Sequence, residues 1–253
     1  MPPVDPGART IGQRPRRELP GHEVHFWFTR MAETDPRLTE LGHLLSAAEI
    51  ERAARFHFEK DHCNYIISHG ILRQLLSLYL GLPPRDIAYE TNTYGKPSLP
   101  PTCGDGTLQF NMSHTAGMAV YALTRNRLVG VDVERVDRAL PDHDEIATGF
   151  FSAEEAAAYR SLPTEQSAEG FYNCWTRKES FIKAKGEGLS CPLDSFQVTL
   201  RPGEPARLLT VRDGTAARWS LASLDLLDCY KAAITAEAPW QLVDCGEIGV
   251  SPS

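Results

Sequence analysis

The chain reads as an α+β protein of two similar lobes, each a small, mostly antiparallel sheet with packed helices. Two internal echoes and the spread of strand-like segments predict this. LSAAEIERA at 45–53 is matched by FSAEEAAAY at 151–159, and the serines Ser46 and Ser152 lie 106 residues apart. The same offset carries the middle of the apolar stretch Tyr65–Leu80 into WTRKESFIKAKGEGL at 175–189. Each half therefore offers a capped helix, then a second helix, then several strands, which implies two lobes with a cleft between them.

The elements follow in order. Val24 to Phe28 alternates as a strand does. Ser46 with Glu49 forms a capping-box signature. Tyr65 to Leu80 carries Ile67, Ile71, Leu72, Leu75, Leu76 and Leu78 on an apolar helix face, and Gly81 with Pro83–Pro84 stops it. Ile87 to Thr91 reads as a short strand and TYGKPSLPP as a loop. Leu108–Phe110, Met118–Thr124 and Leu128–Val133 read as strands, the last two joined by a turn at Arg125–Asn126. In the second half LDSFQVTL, ARLLTV, RWSLASLDL and YKAAITAE are strand-like, with turns at Pro202, Gly203, Pro205 and Gly214. The expected division is a mobile leader at 1–21, lobes at 22–128 and 129–253, and a loose tail after Trp240.

Composition narrows the function. The 253 residues are 42% hydrophobic and 23% charged, ordinary for a soluble globular protein. A net charge of −7 disfavours nonspecific nucleic-acid binding. No apolar run is long enough to cross a membrane, and the Pro- and Arg-rich start lacks the apolar core of a secretory signal. Six scattered cysteines without a CxxC pair point to reduced thiols in a cytoplasm.

The chemistry gathers in a few motifs. In GVDVE at 130–134, alternation sends Asp132 and Glu134 to one strand face and the valines to the other. Two adjacent acids need a cation, and Mg²⁺ prefers such oxygen ligands. A solvated strand edge is the plainer alternative. Trp175, Glu179 and Lys183 share one helical stripe, where a Glu–Lys pair is most often a surface pair. Three acids and a lysine match metal-assisted phosphoryl-group chemistry. Lys178 lies off that stripe, as rim or as site. NMSH at 111–114 places Ser113 and His114 just after a strand, suited to a phosphate. YGKP places Lys96 on a loop where backbone approaches a flat ligand, or is simply a turn with an exposed lysine. Arg52 and Arg55 are surface charges or hold a second phosphate.

In this order YGKP, FNMSH, GVDVE, FFSAEE and WTRKESFIKAKGEGLSCPLDSF resemble the 4′-phosphopantetheinyl transferase family, of the longer surfactin-activating (Sfp) type. The resemblance runs from about Leu45 to about Leu200. It implies the two-lobed fold of that family and transfer of 4′-phosphopantetheine from coenzyme A to a serine of an apo carrier protein, releasing adenosine 3′,5′-bisphosphate. By motif, Asp132, Glu134 and Glu179 would hold Mg²⁺, or Mn²⁺, against the pyrophosphate. Glu179 would also be the base, and Lys183 would stabilise the leaving group. Ser113 and His114 would bind a coenzyme A phosphate. Gly95, Lys96 and Pro97 would line the adenine side, and Arg52 would face the ribose 3′-phosphate. The chain departs from the pattern at Asn64, at Glu49 and, mildly, at Met112. A monomer acting on acyl, peptidyl or aryl carriers is expected, docked along Arg135 to Tyr159 with one of Phe150 and Phe151 in the core and the other exposed. A Mg²⁺-dependent phosphohydrolase and a non-enzymatic coenzyme A-binding module are the alternatives.

Overall fold

The computed structural model describes residues 16–136, 142–227 and 229–248. The first half runs β1 (Glu23–Arg30), α1 (Leu38–Gly42), α2 (Ala47–Ala53), α3 (Glu59–Leu80), β2 (Glu90–Thr91), β3 (Pro97–Ser98), β4 (Leu108–Thr115) and β5 (Met118–Arg125). The second runs β6 (Val129–Arg135), α4 (His143–Phe150), α5 (Ala153–Arg160), α6 (Thr164–Lys185), β7 (Phe196–Val198), β8 (Leu208–Val211), β9 (Trp219–Leu226), β10 (Tyr230–Glu237) and β11 (Gln241–Glu247).

The two halves repeat one plan. In the first sheet β1, β5 and β4 stand side by side, and in the second β6, β10 and β9 do. Both trios are antiparallel throughout. Each half adds a two-stranded ribbon, β2–β3 or β7–β8. The long helices α3 and α6 each have 22 residues and end on a glycine in the left-handed conformation, Gly81 at φ 70° and Gly186 at φ 73°. A side chain there would be strained, so glycine stops both helices.

The repeat extends to buried charge. Ser46 and Ser152 complete capping boxes with Glu49 and Glu155. Each glutamate then binds a buried cation on the long helix of its own half, Arg73 Nε to Glu49 at 2.7 Å and Lys178 Nζ to Glu155 at 2.7 Å. Each cation also donates to two carbonyls of the loop beyond that helix. Arg73 reaches Pro84 and Ile87, and Lys178 reaches Leu193 and Phe196. One buried ion pair per half thus locks cap, long helix and following loop together. Lys178, fully buried, is neither rim nor site.

Packing follows the strand alternation. On one side of the first sheet Trp27, Phe110, Tyr121 and Leu123 meet Ile67, Ile71, Leu75 and Tyr79 of α3. From its other side Val24, Phe26, Val120 and Ala122 join a core with Val129, Val131, Val133, Ala232 and Ile234 of the second sheet. Phe181, Phe196 and Trp219 belong to a third cluster in the second half. The expected burial of the GVDVE valines opposite the carboxylates is what the structure contains.

Several expectations are corrected. The stretch after Trp240 is no loose tail: β11 pairs parallel with β1, Glu23 opposite Gln241 and Val24 opposite Leu242, so the last strand of the second half completes the first sheet. Its polar residues hid this, because an edge strand leaves much of its surface in water. NMSH does not follow a strand but lies on one: β4 pairs with β5 as far as Thr115 opposite Met118, and Gly117 (φ 79°) makes the turn. Within 1–21, the leader residues up to 15 fall outside the described residues. Arg17 donates its backbone N–H to the Leu78 carbonyl at 2.9 Å, and Leu19 is buried.

Gly130 sets how closely α6 approaches β6. A Cβ there would overlap the Ser180 carbonyl oxygen and the Ala184 amide nitrogen, and would stand 2.8 Å from the Lys183 carbonyl carbon. Helix backbone thus lies directly on strand backbone, and no side-chain rotation relieves an intruding methyl. Gly130→Ala is expected to destabilise by about 3 kcal/mol or more, at or beyond the usual range for overpacking. Urea unfolding of purified protein measures this, and a loss below about 1 kcal/mol would show that α6 can slide away freely.

Candidate active site

The close contact at Gly130 brings one stripe of α6 over the polar face of β6. Lys183 Nζ donates to Asp132 Oδ1 at 2.6 Å and to Ser113 Oγ at 2.9 Å. Ser113 in turn donates to Asp132 Oδ1 at 2.9 Å. The second oxygen, Asp132 Oδ2, is buried and has no hydrogen-bond partner. Thr115, two residues after Ser113 on the same strand face, donates to Glu134 Oε2 at 3.2 Å. Asn111 Oδ1 accepts from the Val131 backbone N–H at 2.8 Å, so β4 side chains bind the free edge of β6 along its length.

The electrostatics are unbalanced. Burial, and then the Asp132 charge, raise the Glu134 pKa to about 7. The same two causes, in the same order, raise that of Glu179. Lys183 opposes both shifts, and one ammonium does not neutralise three neighbouring carboxylates. Among the described residues no three His, Cys, Asp or Glu side chains form a ready-made metal cage. The donor set nonetheless suits a hard cation. Asp132 has an unused buried oxygen, and burial, then the Asp132 charge, hold the two glutamates protonation-prone, a strain that a divalent ion relieves.

A cleft of about 470 Å³ opens beside this cluster and is lined from both halves of the chain. Of the residues expected there, Arg52, Gly95, Pro97, Ser113, His114 and Lys183 line it. Lys96 does not. Its side chain turns away, and Nζ donates to the Val129 and Ala184 carbonyls at 3.0 and 3.1 Å. Burial lowers its pKa to about 8. Gly95 (φ 84°) and Pro97 shape the loop so that the flanking residues meet the cleft while the lysine points into the protein. Arg52 lies over the Tyr65 ring, 5.7 Å from its centroid. Arg55 instead pairs with Glu51 on the surface and lines a neighbouring depression. Asn64 borders another depression, with Phe56 and His114. Glu49 does reach the cleft wall, held in its ion pair with Arg73.

Sequence reasoning missed an aromatic wall. Tyr65 and His69 stack with ring centroids 3.8 Å apart, and His69 Nδ1 lies 3.1 Å from the Tyr65 carbonyl. Burial pushes the His69 pKa down to about 4, so the ring is neutral at physiological pH. Tyr89 completes the wall, its hydroxyl buried and unpartnered. The i, i+4 spacing of Tyr65 and His69 was available as a signal, but both sit at the start of a helix face read only as core. Thr115 was equally legible, one alternation beyond Ser113.

On the far side of Glu134 lies a second depression of about 600 Å³, with Val136, Ile146, Phe171 and Trp175 among its walls. Phe150 and Phe151 divide as expected. Phe151 is buried and stacks on Phe171, whereas Phe150 is 46% exposed with its ring edge-on to Trp175.

Comparison with known proteins bears on this arrangement. Residues 128–236 match the model of the 4′-phosphopantetheinyl transferase superfamily, and residues 32–126 match that of a 4′-phosphopantetheinyl transferase N-terminal region. A relative from Nostoc sp., the 4′-phosphopantetheinyl transferase HetI, is 35% identical over 228 residues, 90% of this chain and 93% of its own. The 4′-phosphopantetheinyl transferase Sfp of Bacillus subtilis is 33% identical over 156 residues, 62% of this chain and 66% of its own. Among solved structures, the holo-[acyl-carrier-protein] synthase of Thermotoga maritima aligns with 44% of this chain and 62% of its own, with a TM-score of 0.35 and 20% identity.

The raised Glu134 pKa has a consequence for metal-free stability. Between the ordinary carboxyl value of 4.5 and about 7, the folded protein holds a proton that the unfolded chain has released. Stability from this group is therefore full at low pH and lost as pH rises through that window. Urea midpoints in chelator, from about pH 5 to about pH 8, should fall more in the wild type than in Glu134→Gln. Identical pH dependence in the two proteins would remove Glu134 as the strained group.

Proposed function

Because this chain belongs to the 4′-phosphopantetheinyl transferase superfamily, we propose that the Asp132–Glu134–Glu179–Lys183 cluster is the centre at which it performs the transfer. The enzyme moves 4′-phosphopantetheine from coenzyme A to a serine of an apo carrier protein. The observation that supports this centre is the buried, unpartnered Asp132 Oδ2 beside two glutamates with raised pKa values.

Asp132, Glu134 and Glu179 would hold Mg²⁺, with Mn²⁺ as a substitute. Bound there, the ion would act as a Lewis acid on the pyrophosphate and offset its charge. The chain's own groups supply the rest. Glu179, with its raised pKa, takes the proton of the carrier serine as that oxygen bonds to the β-phosphorus. The bond from that phosphorus to the bridging oxygen breaks, and adenosine 3′,5′-bisphosphate leaves with the electron pair. Lys183, fixed by Asp132 and Ser113, donates to the charge that develops on the leaving oxygen. Arg52, Ser113 and His114 on the cleft wall suit the phosphates, and Tyr65, Tyr89, Gly95 and Pro97 suit the nucleoside. His69, being neutral, offers a hydrogen bond rather than charge.

The apolar depression beyond Glu134 suits the approach of the carrier, with Phe150 and Trp175 at its edge. One copy of the chain supplies every residue of the cluster and both depressions, so the working form proposed is a monomer. The six cysteines are all free thiols, which fits the reducing cytoplasm as its place. No described helix is long and apolar enough to cross a membrane.

Mass spectrometry of apo carriers, incubated with coenzyme A and Mg²⁺, tests the reading. The carrier should gain one phosphopantetheine, and Asp132→Asn or Glu179→Gln should slow the gain about a thousandfold or more, the loss of several kcal/mol of charge stabilisation. Phosphate or nucleotide released from coenzyme A without a carrier product would favour hydrolysis instead. Phe150→Ala should raise the KM for the carrier about tenfold and leave that for coenzyme A unchanged, as for a contact worth more than 1 kcal/mol at an interface. An unchanged carrier KM would move the docking surface elsewhere.

A further inference from the structure

We propose that Lys96 is a positioning residue for the transfer: from the loop beside the nucleotide cleft, its ammonium fixes the strand bearing Asp132 and Glu134 to the helix bearing Glu179 and Lys183. The inference rests on the transferase reading of the cluster. It departs from the role that motif resemblance implies for Lys96, direct contact with the nucleotide.

The geometry is specific. Val129, whose carbonyl accepts from Nζ at 3.0 Å, opens β6 three residues before Asp132. Ala184, whose carbonyl accepts at 3.1 Å, follows Lys183 directly on α6. A single ammonium thus ties both active-site elements at points adjacent to their working residues. It also fills a need of the helix, since the last carbonyls of α6 lack intrahelical partners and a cation there opposes the helix dipole. Asn92 does the same one step further on, donating from Nδ2 to the Gly186 carbonyl at 2.7 Å.

The loop is built to present this lysine. Asn92 Oδ1 accepts from the backbone N–H groups of Tyr94 and Lys96 at 3.0 and 2.9 Å, and the Asn92 N–H donates to the Lys96 carbonyl at 3.0 Å. Gly186 leaves space for the stem. A Cβ there would stand 3.0 Å from Lys96 Cδ and 3.3 Å from Asn92 Nδ2. Gly186 is therefore required twice, once for its left-handed φ and once for this approach. Among the described residues no carboxylate pairs with Lys96, and burial alone depresses its pKa. A cation buried without a counter-charge is costly, and an exposed lysine on a turn would avoid that cost. The loop accepts it because the two carbonyls belong to different elements that have to stay in register. Gly95 and Pro97, on either side, line the cleft. The same few residues therefore touch the nucleotide space with their backbone and the carboxylate scaffold with the lysine.

Steady-state kinetics with separate titration of coenzyme A and carrier tests the proposal, using full-length wild type, Lys96→Met, Lys96→Gln and Lys96→Arg. Wild-type transfer itself tests the underlying reading, independently of the variants. Lys96→Met should lower kcat about tenfold to a hundredfold, the scale of a small misplacement of catalytic groups, with the KM for coenzyme A within about threefold of wild type. Lys96→Arg, which keeps a charged donor for both carbonyls, should recover most of the loss. If Lys96→Met does not fold, Lys96→Gln must show the same split, smaller in size. A rise of about tenfold or more in the KM for coenzyme A with kcat intact would overturn the proposal and make Lys96 a ligand contact. A fall in Tm with both constants unchanged would overturn it too, leaving a tie that serves stability alone.

Discussion

The site depends on one close contact between two stretches of backbone. At Gly130 the strand β6 has no side chain, and α6 lies against it with the Ser180 carbonyl and the Ala184 amide where a Cβ would stand. That distance decides what the flanking residues do. Asp132 and Lys183 meet at 2.6 Å only because helix and strand are this close. A larger residue at 130 would push the helix outward, and the Lys183 side chain would have to re-form its bond to Asp132 across a wider gap. The neighbouring contacts hold the approach from three sides. Ser180 Oγ lies 2.8 Å from Thr235 Oγ1 on β10, Lys96 grips both ends from the loop, and β4 side chains grip the outer edge of β6.

The internal repeat explains why there is one such centre and not two. Both halves use the same framework: a capping-box glutamate, a cation from the long helix, and two loop carbonyls. This framework is structural in each, which is why Arg73 and Lys178 are buried and take no part in the cleft chemistry. The residues proposed to function lie where the repeat is broken. Arg52, on α2, lines the cleft, whereas the equivalent position on α5, 106 residues on, is Ala158. The hollow there measures about 230 Å³ against about 470 Å³ for the cleft, and its wall carries Glu154, Glu155 and Glu204 with Arg201. The cleft instead gathers Arg52, His114 and Lys183, and its one carboxylate, Glu49, is held in the ion pair with Arg73.

How legible this was in the sequence depended on how local each feature is. Capping boxes, long helices, glycine stops and the strand alternation of GVDVE involve residues within a few positions of one another, and these were readable. That one of Phe150 and Phe151 is core and the other exposed was readable too, but which of them is buried was not. What failed were features set by distant partners. β11 is polar and short, and only its pairing with β1, more than 200 residues earlier, makes it a strand. NMSH was placed just after a strand, but it continues one, because its polar side chains bind the edge of β6 and the site rather than water. Lys96 was legible as a lysine on a glycine–proline loop. Its direction was not, because the two carbonyls that attract it belong to β6 and α6 in the other half. The GVDVE and Glu179 set was assigned by resemblance to known motifs, and periodicity alone left a solvated strand edge in play.

The proposed reading of the site also accounts for how two unlike substrates would share one small centre. Glu134 stands at a junction. The polar face of β4 leads from it, through Ser113 and Lys183, into the cleft with the aromatic wall. On its other side the surface becomes apolar, with Val136, Ile146, Phe171 and Trp175. A charged nucleotide and a protein surface ask for opposite environments, and the strand supplies both within a few residues. The carboxylates sit at the boundary, where burial raises the pKa of Glu134 and Glu179, and the proposed reading puts the bond that breaks beside them. The same burial strengthens any cation or ammonium that acts there, because charge interactions grow as water is excluded. With a net charge of −7, the chain gains little from long-range attraction to any partner that is itself acidic. In the proposed reading, apolar contact near Phe150 would hold the protein substrate, and the charge at Lys183 would act only on the bond that breaks.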